Sequence, residues 1–321
     1  MGAYITRRFL IAIPVLFGIT VFAFFILSQS GDPMGAIISP EARATMSHEQ
    51  LLAIAHSYGL DAPVHERYVK WIAAILRGDF GYSIRGRSVV EEITPRIGPT
   101  LVLMTASMAV AVLVGIPFGI ISAVRQYGRV DYLVTTFTMI MISTPTFVVG
   151  LILIYWLGVF LRLLPVGEML TPNKPFSIID LVAHMIMPVL VLGFSSAAPI
   201  MRFTRAGMLE VLNSEYVTTA RAKGLVARAV LIRHGLRNAL IPIITVLGLL
   251  LPDLVGGAIV TEQVFSWPGM GLLTVRAAST RDPSLMMGIV LIIAITVLVV
   301  NILTDVAYTY ADPRVRLAKP G

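Results

Sequence analysis

Six long apolar stretches constrain the fold of this chain more than any other feature of its sequence. They lie at residues 9–29, 100–124, 132–160, 181–201, 239–261 and 285–310. A helix that crosses a bilayer needs about 20 predominantly apolar residues, and each stretch has roughly that length. The first stretch is longer than the apolar core of a signal peptide, so we expect it to be retained. The sequence therefore predicts an all-α membrane protein with six transmembrane helices.

The composition agrees with a chain that lies mostly in lipid. Hydrophobic residues make up 56% of the sequence and charged residues 13%, whereas soluble domains carry about 25% charged residues. This balance excludes a soluble globular enzyme, a disordered chain and a fibre. The absence of cysteine excludes disulfides, thiolate zinc sites, iron–sulfur clusters and cysteine nucleophiles.

The placement of the basic residues predicts how the chain is oriented. A cytoplasmic N-terminus makes four segments internal: 1–8, 125–131, 202–238 and 311–321. It makes three segments external: 30–99, 161–180 and 262–284. The internal segments hold 14 of the 25 Lys and Arg residues, although they are the shorter set. By the positive-inside rule we expect a multi-pass protein of the cell (inner) membrane with both termini in the cytoplasm, and its net charge of +7 needs no nucleic-acid partner.

The external segment 30–99 is long and carries helical signals. Ser47 and Gln50 have the spacing of a capping box at a helix start. A second run, 64–76, places aromatic and aliphatic residues at helical spacing and is followed by Gly78. Two compatible interpretations are a small cap packed on the membrane surface and a docking surface for an external partner. We therefore divide the chain into 1–99, the first transmembrane helix with an extracytoplasmic helical segment, and 100–321, the core transmembrane domain.

The internal loop 202–238 is too polar to span a membrane, and its pattern is helix, glycine, helix. Four residues before Gly224 share one helical face: Tyr216, Thr219, Ala220 and Lys223. Gly224 itself can take a positive φ and turn the chain sharply. An amphipathic helix of this kind lies on anionic lipid or inserts into a groove of a partner protein. Periodicity alone leaves both interpretations open.

Residues 215–225 of this loop read Glu-Tyr-Val-Thr-Thr-Ala-Arg-Ala-Lys-Gly-Leu and strongly resemble the EAA signature of ABC importer permeases, in the form of the peptide and nickel importer group. Other motifs of that family follow the same order along the chain: 31–33, 78–83, 257–262, 265–271, 281–283 and 312–316. The whole chain resembles the B-type permease subunit of dipeptide and oligopeptide importers. That resemblance implies the type I (MetI-like) ABC permease fold with a cytoplasmic coupling helix.

The resemblance also implies partners. They are a paralogous permease that forms a heterodimer with this chain, two cytoplasmic ABC ATPase subunits and an extracytoplasmic peptide-binding protein. The residues implied to couple transport to the ATPases are Glu215, Tyr216, Thr219, Ala220, Arg221, Ala222, Lys223, Gly224 and Leu225. The generic Glu-Ala-Ala of the signature falls on 218–220, where this chain has Thr-Thr-Ala, so Glu215 is given no specific salt bridge.

The sequence predicts a transport subunit that is not itself an enzyme. It contains no Gly-Lys dipeptide, so a phosphate-binding G-x-x-x-x-G-K-[ST] loop is impossible. It has no H-E-x-x-H motif and no nucleophile–base pattern that would mark a catalytic site. We therefore expect no cofactor and no metal on this chain, with ATP and Mg bound by the partner subunits.

Polar residues near or within the predicted spans are the candidates for the path and its outer gate. Asp253, Asn301 and Thr296 are path-lining candidates, and helix-to-helix contacts are the structural alternative for each. The candidates for an outer gate or docking site are Glu262, Trp267, Pro268 and Gly269; the alternative for this turn is a tight connection with a tryptophan at the membrane interface.

Three further expectations concern packing and cargo. We expect Gly115 and Gly119 to pack against another helix, and His184 to be a hydrogen-bonded structural residue rather than a metal ligand. Nickel, glutathione or another small solute is the alternative cargo within the same importer class. An ion-coupled secondary transporter is the alternative from a different class. It predicts an internal inverted repeat, and the six predicted spans show little sign of one. A membrane enzyme would need a clustered active site.

Overall fold

The computed structural model describes residues 2–29, 38, 40–57, 62–215, 217, 246, 248, 250 and 258–311. The helices in this part of the chain are α1 (Gly2–Gln29), α2 (Pro40–Thr45), α3 (His48–Ser57), α4 (Val64–Leu76), α5 (Val89–Val124), α6 (Arg129–Ser143), α7 (Thr146–Leu153), α8 (Ile178–Leu212), α9 (Met270–Ser279) and α10 (Pro283–Ala311). A π-helical turn, Ile154–Phe160, continues α7, and residues 258–264 are also helical.

Four of the described helices are long and apolar enough to cross a membrane: α1, α5, α8 and α10. Together, α6 and α7 with its π-helical turn are also long and apolar enough to cross a membrane as one bent span. This gives up to five spans in the described part of the chain. The predicted fifth stretch, 239–261, lies largely outside the described residues. A multi-pass helical membrane protein is therefore confirmed, whereas the number six stays a prediction.

The third apolar stretch is not one straight helix. Its two arms, Arg129–Ser143 and Thr146–Phe160, meet at an angle of 103°. Thr144 and Pro145 between them are extended, with ψ of 124° and 137°. Proline disfavours helical backbone in the residue before it and lacks the N–H that would continue the ladder. The sequence predicted the span, but the apolar pattern could not give the size of the bend.

Helix α5 begins at Val89, well before the predicted start of its span at residue 100. Its first turns carry Glu91 and Glu92, and Pro95 and Pro99 lie inside it. Charges and prolines made this part look like a loop, yet acidic side chains suit the positive end of a helix. The early start lets α5 reach the outer turns that surround the candidate site.

The core of the bundle is the pair α5 and α8, which approach closely at glycines. A Cβ atom on Gly115 would lie 2.6 Å from Ile200 Cγ2, and one on Gly119 would lie 2.6 Å from Thr204 Cβ. On the other helix, a Cβ on Gly193 would lie 2.8 Å from Val110 Cγ1. Any larger side chain would push the helices apart. The predicted packing role of Gly115 and Gly119 is confirmed.

The external segment packs on the first span. The capping box is confirmed, since the Ser47 N–H donates to Gln50 Oε1 at 2.9 Å and the Gln50 N–H donates to Ser47 Oγ at 3.3 Å. On α4, the Tyr68 hydroxyl lies 2.9 Å from Thr20 Oγ1 of α1, and its ring meets Phe24 edge-on at 5.5 Å. The cap interpretation is therefore supported by contacts to α1, and the docking interpretation stays a prediction.

Candidate functional site

The turn that follows residues 258–264, which the charge pattern predicts to lie on the outer side, is built around the buried carboxylate of Glu262. Its Oε1 accepts a hydrogen bond from Thr100 Oγ1 at 2.7 Å, and its Oε2 accepts from the N–H groups of Gly271 at 2.7 Å and Leu272 at 3.1 Å. The first N–H groups of a helix have no partner within it. Glu262 thus caps α9 by accepting from two of these N–H groups.

Trp267 and Gly269 complete the same structure, which we call the outer junction (Glu262, Trp267, Gly269, Gly271 and Thr100). Trp267 is fully buried, and its indole Nε1 donates to the Pro99 carbonyl at 3.0 Å. A Cβ on Gly269 would overlap the Glu262 carboxylate, and one on Gly271 would overlap the backbone of Ile259. Both positions therefore require glycine.

The structure brings the four outer candidates together, but it encloses most of them. Glu262, Trp267 and Gly269 are buried, and Pro268 is half-buried. A residue that is enclosed by its own chain offers little surface to a docking protein in this conformation. The contacts match the alternative of a tight connection, and a role in gating stays a prediction.

A polar network ties the neighbouring outer loop to α8. His184 Nδ1 lies 2.8 Å from the Gly167 carbonyl, and its Nε2 lies 3.3 Å from Thr171 Oγ1. The Asp180 carboxylate accepts from both the N–H and the hydroxyl of Thr171 at 2.7 Å. His184 is a hydrogen-bonded structural residue, as expected from the sequence.

Two motifs that sequence analysis used only for the resemblance meet in space. Asp282 is buried just before α10, where its Oδ1 accepts from the Leu285 N–H at 3.0 Å. Its Oδ2 accepts from the N–H of Ile84, next to the 78–83 motif, at 2.9 Å. Ser83 in that motif donates to Glu92 Oε1 of α5 at 2.8 Å. The outer ends of α5 and α10 are therefore joined by side-chain caps.

Another carboxylate organises the end of the bundle that the charge pattern predicts to be cytoplasmic. Asp131, in the first turn of α6, is 4% exposed. It accepts from Arg205 Nε at 2.7 Å and Nη2 at 2.8 Å, from the Tyr127 N–H at 2.9 Å and from the Ser122 hydroxyl. We call this group the inner clamp (Asp131, Arg205, Ser122 and Tyr127).

The inner clamp has no clear signal in the sequence. Arg205 was assigned to the internal loop, whereas α8 continues to Leu212 and carries it as a helical residue. Asp131 lies in the predicted internal segment 125–131, which was used only to assign orientation. A single acid in a short basic loop is a weak signal, and its partner lies 74 residues away in sequence.

The predicted coupling segment is described only at its start. Glu215 is exposed, and Val217 is buried against Val211 with its N–H donating to the Ser214 carbonyl at 3.1 Å. The other coupling candidates lie outside the described residues: Tyr216, Thr219, Ala220, Arg221, Ala222, Lys223, Gly224 and Leu225. Their role stays a prediction.

The path candidates are placed only in part. Asp253 lies outside the described residues. Thr296 donates to the Ile292 carbonyl of its own helix at 2.8 Å, and Asn301 is exposed on α10. Gly248, near Asp253 in sequence, faces α10 so closely that a Cβ would overlap Thr304. That contact supports helix packing at Gly248 and leaves the path roles as predictions.

Known proteins resemble the chain along almost its whole length. Residues 115–317 match the family described as binding-protein-dependent transport system inner membrane component, and residues 1–103 match the N-terminal family of that component. The oligopeptide transport system permease protein AppB of Bacillus subtilis is 43% identical over 318 residues, covering 98% of this chain and 99% of that protein. The dipeptide transport system permease protein DppB of Escherichia coli K12 is 38% identical over 342 residues, covering 99% and 100%.

A further relative and a solved structure extend the comparison. The glutathione transport system permease protein GsiC of Escherichia coli O1:K1 is 38% identical over 316 residues, with 98% of each chain covered. An inward-facing structure of the MetNI methionine ABC transporter matches with a TM-score of 0.55 at 16% identity, covering 68% of this chain and 95% of the other. At that identity the likeness shows the fold alone, and it supports the predicted MetI-like architecture.

Proposed function

Because the chain belongs to the family of inner membrane components of binding-protein-dependent transport systems, we propose that it forms half of an ATP-driven translocation path for di- and oligopeptides. The observation that carries the proposal is full-length identity of 43% and 38% to proteins named as oligopeptide and dipeptide permeases. The other half of the path is a paralogous permease, and the cargo is delivered by an extracytoplasmic peptide-binding protein.

Energy enters from two cytoplasmic ATPase subunits, which bind ATP and Mg. The coupling helix around 215–224 inserts into a groove on one of them, and the small residues at 220, 222 and 224 support close contact there. Closure of the ATPases on ATP moves this helix and favours an outward-open arrangement of the spans over an inward-open one. This chain supplies the moving path and no nucleotide site.

The proposed orientation follows from charge. The inner membrane contains the spans, both termini lie in the cytoplasm, and the outer junction faces the binding protein's side. The excess of Lys and Arg in segments 1–8, 125–131, 202–238 and 311–321 supports this assignment. An engineered cysteine in each terminus, in a chain that has none of its own, tests it by labelling from one side of the membrane.

Reconstitution tests the proposed function directly. The chain is co-purified with its partner proteins, identified by mass spectrometry, and placed in liposomes with the binding protein outside and ATP at the ATPase side. We expect uptake of a labelled dipeptide or tripeptide that needs both ATP and the binding protein. Uphill uptake by the chain alone on an ion gradient, without nucleotide, would contradict the proposal.

Glutathione is the second candidate cargo, because a full-length relative at 38% identity is named as a glutathione permease. Competition separates the two. ATP-driven uptake of labelled dipeptide that excess glutathione or nickel does not reduce supports peptides as the cargo, whereas ATP-driven uptake of labelled glutathione that excess dipeptide does not reduce supports the alternative.

A further inference from the structure

We propose that Asp131 and Arg205 are a positioning pair that makes α6 move together with α8 during the transport cycle. The inference rests on the proposed function, because it assumes that displacement enters the spans through the segment that follows α8. It concerns residues outside the coupling segment, and it assigns the inner clamp a mechanical role in addition to its role in stability.

The geometry of the pair restricts relative motion. Arg205 presents two nitrogens to the two carboxylate oxygens, at 2.7 and 2.8 Å. A two-point contact of this kind fixes orientation as well as distance, which a single charge contact does not. The Tyr127 N–H and the Ser122 hydroxyl hold the same carboxylate from the turn and from α5. These two contacts hold the carboxylate in addition to the contacts from Arg205.

The position of each partner gives the pair its mechanical meaning. Arg205 lies about two helical turns before the end of α8 at Leu212, where the chain enters the predicted coupling segment. Asp131 lies in the first turn of α6, the arm that ends at the 103° bend. The pair therefore joins the helix that leads to the coupling segment with the far end of a bent span.

The rest of the contact between α6 and α8 is apolar and incomplete. Phe137 of α6 meets Phe194 of α8 edge-on at 5.8 Å, and the Thr138 hydroxyl lies 3.6 Å from Met201 Sδ. An apolar groove of about 290 Å³ separates parts of α5, α6 and α8 at this level. Apolar contacts beside a groove hold two helices together without fixing their register. The ion pair supplies the fixed point that these contacts lack.

By contrast, α5 needs no such pair to follow α8. Gly115 and Gly119 bring the two helices into backbone contact, and a Cβ on Gly119 would lie 2.8 Å from the Met201 carbonyl. Close packing of this kind transmits displacement by shape. The clamp is therefore placed at a helix that packs on α8 less closely than α5 does.

A covalent substitute for the ion pair tests the proposal. The chain has no cysteine, so Asp131→Cys with Arg205→Cys creates the only two thiols in it. In the reconstituted importer the measured quantity is peptide transported per ATP hydrolysed. We expect the reduced double variant to lose about five-fold in this ratio, in the range by which coupled residues modulate one another. A short thiol-to-thiol cross-linker restores the ratio if a mechanical link is what was lost.

Controls separate coupling from folding. Each single cysteine variant, treated with the same reagent, gains no restoration. The Arg8→Gln variant removes an ion pair with Asp305 at 3.1 Å that joins α1 and α10, and it leaves the ratio unchanged. Arg205→Lys keeps the charge but offers one contact in place of two, so we expect it to lower the ratio by about two-fold. This variant provides the test if the double variant fails to assemble.

Two results overturn the inference. One is an unchanged ratio in the reduced double variant or in Arg205→Lys. The other is a lowered ratio that the cross-linker does not restore. Failure of the proposed function is a different result, because the unaltered complex would then show no ATP-driven peptide uptake at all.

Discussion

The two ends of the bundle each hold a buried carboxylate, but they hold it in different ways. At the outer junction, Glu262 is fully enclosed and accepts only from neutral donors, one hydroxyl and two backbone N–H groups. At the inner clamp, Asp131 pairs with a cation whose side chain is 29% exposed. Neutral donors held by turns and glycines resist rearrangement, whereas the strength of the arginine contact depends on charge and on its partial exposure to solvent.

This difference gives the two ends different mechanical properties. The outer junction joins α5, α9 and residues 258–264 through the Glu262 and Thr100 side chains and two backbone N–H groups, so we expect these elements to move as one body. The inner clamp joins α6 and α8 through side chains alone, so its strength depends on charge and geometry. Variants at the outer end are expected to reduce stability first, and variants at the inner end to reduce coupling first.

The largest expected loss of stability is at the centre of the outer junction. Glu262→Ala leaves the Thr100 hydroxyl and the Gly271 and Leu272 N–H groups without their acceptor and opens a cavity. We expect the free energy of unfolding to fall by about 3 kcal/mol or more, measured in detergent by denaturant titration. Gln263→Ala, at the exposed neighbouring position, is the matched control and should change little. Equal stability of the two variants would contradict the expectation that the outer junction contributes mainly to stability.

At the other end, the largest expected effect is on coupling. Gly224→Trp places an indole at the predicted contact with the ATPase, so we expect a stably inserted protein whose peptide uptake falls at least about tenfold while ATP hydrolysis continues. Gly224→Ala adds only a methyl group and serves as the graded control. Uptake and ATPase rate are measured in the same liposomes. Normal uptake by the tryptophan variant would show that this position does not transmit the ATPase movement.

An intermediate effect is expected where α5 and α8 connect the two ends. Gly119→Ala introduces a Cβ 2.6 Å from Thr204 Cβ and 2.8 Å from a backbone carbonyl, and should destabilise by about 1–3 kcal/mol. Gly18 lies in α1, is not followed by proline, and an added methyl group there would meet nothing within 4 Å, so Gly18→Ala should be neutral or stabilise by up to about 1 kcal/mol. Thermal unfolding of the two alanine variants compares them directly, and the same sign for both would contradict the packing assignment.

The smallest expected effect is at the external segment. Tyr68→Phe removes the hydroxyl that meets Thr20 but keeps the ring against Phe24, so we expect a loss of about 1 kcal/mol in the docking of α4 on α1. Faster amide hydrogen exchange in residues 64–76 would show this weaker docking. Tyr82→Phe is the control, since Tyr82 is 69% exposed. Unchanged exchange in the Tyr68 variant would mean that the aromatic contacts alone hold the segment.

The sequence predicted what depends on local pattern. Apolar length located the spans, the Ser47 and Gln50 spacing predicted a capping box, and the small residues at 115 and 119 predicted a close helix contact. Each of these follows from residues within a few turns of one another. The resemblance carried by residues 215–225 identified the family, which the comparison confirmed over the full length.

The sequence could not show which distant groups share a carboxylate. Glu262 meets Thr100 across 162 residues, and Asp131 meets Arg205 across 74. Neither pairing has a periodic signal, because each depends on how helices pack after they form. The same limit explains why Trp267 was considered for docking, whereas its indole is enclosed between spans. The angle at Pro145 likewise depends on neighbours that pattern alone does not specify.

The hydrogen bond between Ile84 and Asp282 also constrains the order in which contacts form during synthesis. The Ile84 N–H bonds to a side chain that lies 198 residues later in the chain. Ribosomes add roughly 5–20 residues per second, so the turn waits about 10–40 seconds for its acceptor. The contact between this turn and α10 can therefore form only late in synthesis, and a ribosome stalled before residue 282 leaves the Ile84 N–H without this acceptor.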